Sequence, residues 1–394
     1  MSRRTAALLL PIIYLGFISL GLPDGTLGVA WPRMHLDLGQ PLDAAGLLMI
    51  VATLLSATAS FTSGHVLGRF GTGPVVLASC VLTGGALLAT SQATAFSWLV
   101  VAAVPLGLGA GAVDTGLNSY VARHYTGRHM NWLHACWGIG ATSGPLIMTQ
   151  ALTTSHSWRG GYVVIGSLQL GLAAVFLATL RLWKEVPERT AAEASAGEVD
   201  SAPVAARPLH AANSPAGWLS AAIFLLYVAT EMTVGLWANS ILVLSRQVPQ
   251  AAAGVCVSVF YAAITGGRIA NGFVVDRWGN RRLVAAGSLL AMGGAVLFLF
   301  VDAAVPAAVA LGLMGLGFSP IYPGLMHEVP RRFAPAAVAG IIGRQSGAAC
   351  IGAAVFPAAA GWLSAQLSLE AIVWCTLAGA LLLVIAIRRL DLIS

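Results

Sequence analysis

Twelve stretches of this 394-residue chain are long and apolar enough to lie as helices in a lipid bilayer: 6–32, 42–66, 74–93, 97–122, 131–153, 160–182, 215–243, 250–273, 282–301, 304–327, 336–361 and 367–387. Each holds the roughly 20 mostly apolar residues that a spanning helix needs. Hydrocarbon offers the backbone no water to bond, so such stretches must satisfy their own amides as α-helices. Charged residues make up only 9% of the chain, against about a quarter in a soluble domain, which excludes an ordinary water-soluble fold. The first stretch follows Ser2-Arg3-Arg4 as a signal peptide would. It is long and no small-x-small cleavage pattern ends it, so it is read as span 1.

The chain also repeats itself. Gly107-Leu108-Gly109, Gly116-Leu117 and Arg123 recur as Gly315-Leu316-Gly317, Gly324-Leu325 and Arg331, all at an offset of 208 residues. Gly64, Arg69 and Gly71 recur at that offset as Gly272, Arg277 and Gly279. Asp24-Gly-Thr-Leu-Gly-Val corresponds to Glu231-Met-Thr-Val-Gly-Leu one residue away, at 207. Two homologous halves in an apolar chain are the plan of a secondary transporter, with its substrate site between the repeats near the bilayer midplane. Residues 1–184 are read as an N-terminal six-helix half, 185–213 as a cytoplasmic linker and 214–394 as a C-terminal six-helix half. The linker reading rests on Glu185, Glu188, Glu193, Glu198 and Asp200 set among Ala, Ser and Pro with few large apolar residues.

Charge orients the chain. With both termini in the cytoplasm, sixteen of the 21 Lys and Arg fall in cytoplasmic segments, Arg33, Arg159 and Arg246 fall on the opposite side, and Arg268 and Arg344 fall within spans. This topology, with anionic lipid at the inner face, accounts for the net charge of +6 without a nucleic-acid partner. The expected location is a bacterial-type inner membrane. Cys80, Cys136, Cys256, Cys350 and Cys375 sit singly in apolar stretches, as packing thiols with no metal spacing.

Between spans 8 and 9 runs Gly272-Phe-Val-Val-Asp276-Arg277-Trp278-Gly279-Asn280-Arg281-Arg282. It resembles the cytoplasmic loop motif G-x3-D-R-x-G-R-R of the major facilitator superfamily. Gly permits the tight turn, and the acid can accept at a neighbouring helix N-terminus and pair with Arg across the half interface. The copy between spans 2 and 3 has Gly68 where the acid belongs, followed by Arg69. The resemblance implies an all-α polytopic membrane protein of the major facilitator fold, with 12 transmembrane helices in two pseudo-symmetric six-helix halves.

Three acids fall well inside the apolar spans: Asp24 in span 1, Asp114 in span 4 and Glu231 in span 7. Ionised and unpaired, each costs several kcal/mol there, so each is read as a functional group for proton coupling. The alternative role is a structural ion pair, for which Arg268 and Arg344 are available.

Around two of these acids the residues resemble a narrower family. Asp114-Thr115-Gly116-Leu117-Asn118 is similar to the acid-Thr-x-x-Asn element of the fucose/glucose/galactose:proton symporters, the fucose permease type. Asp24, between Leu22-Pro23 and Pro32, resembles that family's first-span acid. Asn131-Trp-Leu-His134 with Gly140 resembles its pattern Asn-x-x-Gln-x5-Gly, with His134 in place of the amide. The resemblance implies sugar binding and proton coupling at Asp24 and Asp114.

Helical spacing groups further residues. Asp114 with Asn118, Asn131 with His134, the series Tyr227, Glu231, Gly235 and Asn239, and the series Tyr261, Thr265 and Arg268 each lie along one helix face. Acids, amides and rings in one cavity suit a hydroxylated solute. Trp137, Trp237, Tyr261 and Tyr322 are candidates for stacking on it. Arg268 and Arg344 lie near the cytoplasmic ends of their spans, within reach of Asp276 or Glu328. They are read with Arg69, Arg123, Asp276, Arg277 and Glu328 as a cytoplasmic gate. Were Arg344 to reach the cavity, an anionic substrate would fit.

No Walker loop and no nucleophile–base spacing points to an enzyme, and no cofactor or metal is implied. His124, His129 and His134 straddle a loop and read as topology and cavity residues. The expectation is a monomeric proton-coupled transporter, taking up a sugar or similar small molecule by symport. Export of drugs or amphiphiles, transport of an organic anion, and a non-transporting sensor are the alternatives.

Overall fold

The structure, a computed structural model, describes residues 3–125, 127–184, 214–333 and 335–393, with the side chains of most of them. The expected linker, 185–213, lies outside the described residues. Helices dominate: α1 (Arg3–Gly21), α2 (Thr26–Asp37), α3 (Ala45–Phe70), α4 (Thr72–Ser91), α5 (Phe96–His124), α6 (Gly127–Thr154) and α7 (Trp158–Thr179) build the first half. The second half consists of α8 (Pro215–Ser240), α9 (Gln250–Trp278), α10 (Asn280–Phe298), α11 (Ala304–Phe318), α12 (Ile321–Arg332), α13 (Pro335–Gln366) and α14 (Glu370–Ile393). Spans 1 and 10 are each made of two helices, α1 with α2 and α11 with α12. Each of the other ten spans is one helix.

Among the described residues, eleven spans are long and apolar enough to cross a bilayer by composition. The twelfth, α6, is 28 residues long and carries His134, Gln150 and a run of Gly, Ser and Thr. It is packed between α1, α7 and α9.

The breaks have local causes. In span 1, Pro23 supplies no amide, and Gly25 takes a left-handed φ of 72° that a side chain would resist. The chain turns through hydrogen bonds from the Asp24 amide to the Gly21 carbonyl (3.0 Å) and from the Thr26 amide to the Pro23 carbonyl (3.2 Å). In span 10 the break falls at Ser319-Pro320, directly before Ile321.

The repeated Gly-Leu-Gly is a packing device. A Cβ on Gly107 would strike the backbone of Ala52 in α3, and one on Gly315 the backbone of Phe260 in α9. Gly109 lies against Ser79 and Thr83 of α4, as Gly317 lies against Gly287 and Ala291 of α10. Span 4 thus nests on spans 2 and 3 as span 10 nests on spans 8 and 9, by the close approach that small residues allow.

The halves meet through α2 on α8, α3 on α13 and α6 on α9. These contacts run from mid-span to the end opposite the termini: Gly28 on Gly235 and Leu236, Gly46 on Ala358, Gly254 on Thr149, and Gly138 on Thr265. At the termini end, Gly68, Gly71, Gly272 and Gly279 have no neighbouring element within 4 Å of a Cβ position. Phe70, Phe273 and Trp278 are exposed there. In the described residues the molecule is closed at the far end and splayed at the end of the termini.

Candidate functional site

The break in span 1 places a carboxylate on the axis between the halves. Asp24 sits in the turn between α1 and α2, not within a helix as its spacing suggested, and its Oδ2 accepts a hydrogen bond from Trp137 Nε1 at 2.8 Å. Trp137 can stand so near because α6 and α1 touch closely: a Cβ on Gly140 would strike the Ile18 carbonyl. Behind Asp24 the buried ring of Tyr261 lies over Gly25, where a Cβ would come within 2.6 Å of it.

The same Trp137 ring receives a cation from the other half. The Arg268 guanidinium carbon lies 5.2 Å from the ring centroid, and Nη2 reaches the Tyr227 hydroxyl at 3.5 Å. Its charge also reaches Glu231, one turn along α8 from Tyr227, and His134 on α6. His134 meets the Phe17 ring edge-on at 5.7 Å and is exposed toward the splayed side. A guanidinium over an aromatic face away from water is an attraction of about 1–2 kcal/mol.

Asp114 completes the cluster from α5. Asn118, one turn on, donates from Nδ2 to Asp114 Oδ1 at 3.0 Å, while its own Oδ1 is buried without a partner among the described residues. Asp114 interacts electrostatically with Asp24, with Tyr322 and with Cys350. Tyr322 is the second residue of α12, just after the span 10 break, and meets Phe224 edge-on (4.9 Å) and Tyr227 at a tilt (6.2 Å). Asp24, Asp114, Asn118, His134, Trp137, Tyr227, Glu231, Tyr261, Arg268 and Tyr322 therefore form one cluster, with three carboxylates and one guanidinium among them.

Several expected members stand elsewhere. Asn239 lies two turns, about 12 Å, outward of Glu231 on α8, fully buried in the half interface, and donates to the Val29 carbonyl at 3.1 Å. Trp237 is fully buried and donates to the Pro357 carbonyl at 2.8 Å, so it packs α8 on α13 and cannot stack on a solute. Arg268, expected among the gate residues, belongs to the cluster because its helix face points to Trp137. Arg344 instead lies over Trp218 at 5.0 Å, at the termini end of α8. Glu328 pairs within the second half, with Arg281 (3.3 Å), Arg331 (3.3 Å) and Arg332 (3.6 Å), and Arg332 binds Asp391 at 2.6 Å. Arg69 and Arg277 are exposed. The side chains of Arg123, Asn131 and Asp276 lie outside the described residues. Sequence reasoning missed Cys350 beside Asp114 and Phe17 against His134, neither of which carries a local signal.

Comparisons with known proteins agree with this architecture. The model of the Major Facilitator Superfamily matches residues 13–235 and 219–392. An uncharacterised MFS-type transporter of Yersinia pestis is 24% identical over 324 residues, 78% of each chain. A bacterial homolog of the human lysosomal transporter Spinster, solved inward-facing and unoccupied, superposes with a TM-score of 0.78 at 13% identity, covering 100% of this chain and 97% of that one. The nucleoside transporter NupG superposes with a TM-score of 0.75 at 12% identity, covering 97% and 98%. These two likenesses show the shared fold. Matched by the family model over nearly its whole length, and built as two six-span halves around a central polar cluster, the chain is a transporter that belongs to the major facilitator superfamily.

Proposed function

We propose that the protein takes up a hydroxylated small solute, a sugar or a sugar-bearing molecule, together with protons. The observation that carries this reading is the cluster itself: Asp24 held by Trp137, Trp137 faced by Arg268, and Asp114 and Glu231 within electrostatic reach. Acids kept in hydrocarbon are costly unless they bind or carry something. Three acids against one guanidinium leave charge that a proton can balance. Hydroxyl groups can donate to Asp24 and Asp114 and accept from Asn118 or Arg268, while Trp137 and Tyr322 offer faces to the C–H side of a ring.

NupG is a nucleoside transporter, and a nucleoside is itself a sugar-bearing molecule, so the shared fold is compatible with this class. The basic loops make the splayed end cytoplasmic, with both termini inside, so the described state is inward-facing. The working unit is a monomer, because each chain holds a whole site between its own halves.

A thermal-shift screen of purified protein tests the substrate class, since a ligand of the native state raises its apparent stability. Sugars or nucleosides should stabilise it, and the same compounds should alkalinise the outside of proteoliposomes on uptake. Stabilisation by cationic drugs alone would refute the reading in favour of export, and stabilisation by carboxylic acids alone would favour an anion bound at Arg268.

A further inference from the structure

At the closed end the two halves are joined by a feature unlike the apolar contacts around it. Asn239 of α8 and Gln250 at the start of α9 both donate to one acceptor in the other half, the Val29 carbonyl of α2, at 3.1 and 3.3 Å. Directly before Val29, Gly28 lies so close to the Gly235 and Leu236 carbonyls that no side chain fits. Pro32 in the same helix has no amide, so it leaves the Gly28 carbonyl without its helical donor. A helix carbonyl bonded to its own amide keeps a second lone pair, and here two carboxamides share it.

Asn239 is fully buried, yet its Oδ1 has no partner among the described residues. A buried acceptor without a donor penalises the state that buries it, and water satisfies it as soon as the interface opens. The side chain thus pulls both ways: Nδ2 holds the halves together and Oδ1 favours their release. A leucine of the same size would close the interface without that penalty.

We propose that Asn239, with Gln250, forms a poised latch on the Val29 carbonyl that sets the balance between the closed and open states of the end opposite the termini. The latch holds by two donors and opens by hydrating one orphan acceptor. It uses none of the groups of the central cluster, so its action is measurable without any substrate.

The test reads how often this end opens. Thr149, on α6 opposite Gly254 of α9, is buried in the same interface. With the native cysteines replaced, Thr149→Cys is modified by a membrane-impermeant maleimide at a rate proportional to the open population. Asn239→Asp puts an oxygen where Nδ2 stands, against the Val29 carbonyl, and at pH 8 should raise the rate about tenfold. Asn239→Leu removes the orphan and should lower it about fivefold. Opposite signs are the mark of the latch. A rate within twofold of the parent for Asn239→Asp, or a rise for Asn239→Leu, would overturn the proposal. Should Asn239→Asp lose its cooperative thermal transition, Gln250→Glu, half-buried at the same carbonyl, takes its place with an expected rise of about fivefold, and no rise there overturns the proposal equally.

Discussion

The bond between the halves that matters most at the site is the one Arg268 makes, and it can be weighed. Arg268→Gln removes a cation that faces the Trp137 ring at 5.2 Å, bonds the Tyr227 hydroxyl at 3.5 Å and balances Glu231. The ring term is about 1–2 kcal/mol. The charge term, taken as two unit charges roughly 4–8 Å apart at an effective dielectric near 20, is on the order of 2–4 kcal/mol. Loss of the cation leaves Glu231 uncompensated, so the single variant should lose about 3–5 kcal/mol of stability. Glu231→Gln in the same background removes the stranded charge, and the double variant should recover most of the charge term. A double-mutant cycle on equilibrium unfolding in mixed micelles therefore predicts a coupling of about 2–4 kcal/mol between Arg268 and Glu231. Arg268→Lys keeps the charge and should stay within about 1 kcal/mol of the parent. A coupling below about 0.5 kcal/mol would mean that the two groups do not sense each other and that Arg268 is held by packing alone.

Asp114→Asn should fold and exchange substrate down its own gradient but lose proton-driven accumulation; normal substrate-induced alkalinisation in liposomes would remove Asp114 from the coupling role. Trp137→Phe deletes the donor to Asp24 and leaves Arg268 a smaller aromatic face, and loss of one charge-assisted hydrogen bond, about 1.5–3 kcal/mol, should weaken substrate binding by tenfold or more in calorimetry. An unchanged affinity would show that Asp24 is positioned by the chain break and not by Trp137. Gly25→Ala forces a side chain into a φ of 72° and against the Tyr261 ring and Pro145, which should destabilise the fold by about 2–4 kcal/mol. A thermal midpoint equal to the parent's would show that the span 1 turn relaxes freely.

Much of the candidate cluster was legible because buried charge is rare. Asp24, Asp114, Glu231 and Arg268 stand out in apolar runs, and helical spacing tied Asn118, Tyr227 and Tyr261 to them and His134 to Asn131. The depth of each residue along its helix was less legible. Asn239 shares a face with Glu231 but lies two turns outward, so the same stripe serves the site at one end and the half interface at the other. Arg268 was assigned by its distance from the span end, whereas Trp137 across the interface decides where it sits. The break in span 1 was signalled by Pro23 and Gly25, yet an apolar run of this length reads as one helix when hydropathy alone is followed. Glu328 looked like a gate acid, and only the folded chain shows Arg281, Arg331 and Arg332 closing around it from its own half.

Rocking of two halves requires each half to move as one body, and the far end of the molecule shows how that rigidity is obtained twice with opposite charges. In the second half Arg246, just beyond α8, is buried to 3% side-chain exposure and donates to the Phe298 and Val301 carbonyls at 2.6 and 2.8 Å. It also grips Glu370 at the start of α14 through two bonds, of 3.1 and 2.7 Å. In the first half the acid sits at the end of span 1, where Asp37 accepts from Trp158 at the start of α7 at 2.9 Å, and the next residue, Arg159, donates to the Ser91 carbonyl at 2.9 Å. Ser91 and Phe298 stand at corresponding ends of spans 3 and 9, one residue off the 208-residue register of those two spans. In both halves a carbonyl at the end of span 3 or span 9 is the anchor, while acid and base have exchanged ends between spans 1 and 6 and spans 7 and 12. A bidentate guanidinium–carboxylate pair and an indole–carboxylate bond both resist shear between the helices they join. The outer segments of spans 1 and 7, which carry Val29 and Asn239, are thereby fixed to their own halves, so a hydrogen bond made or broken between those two residues acts on whole bodies rather than on a loose loop.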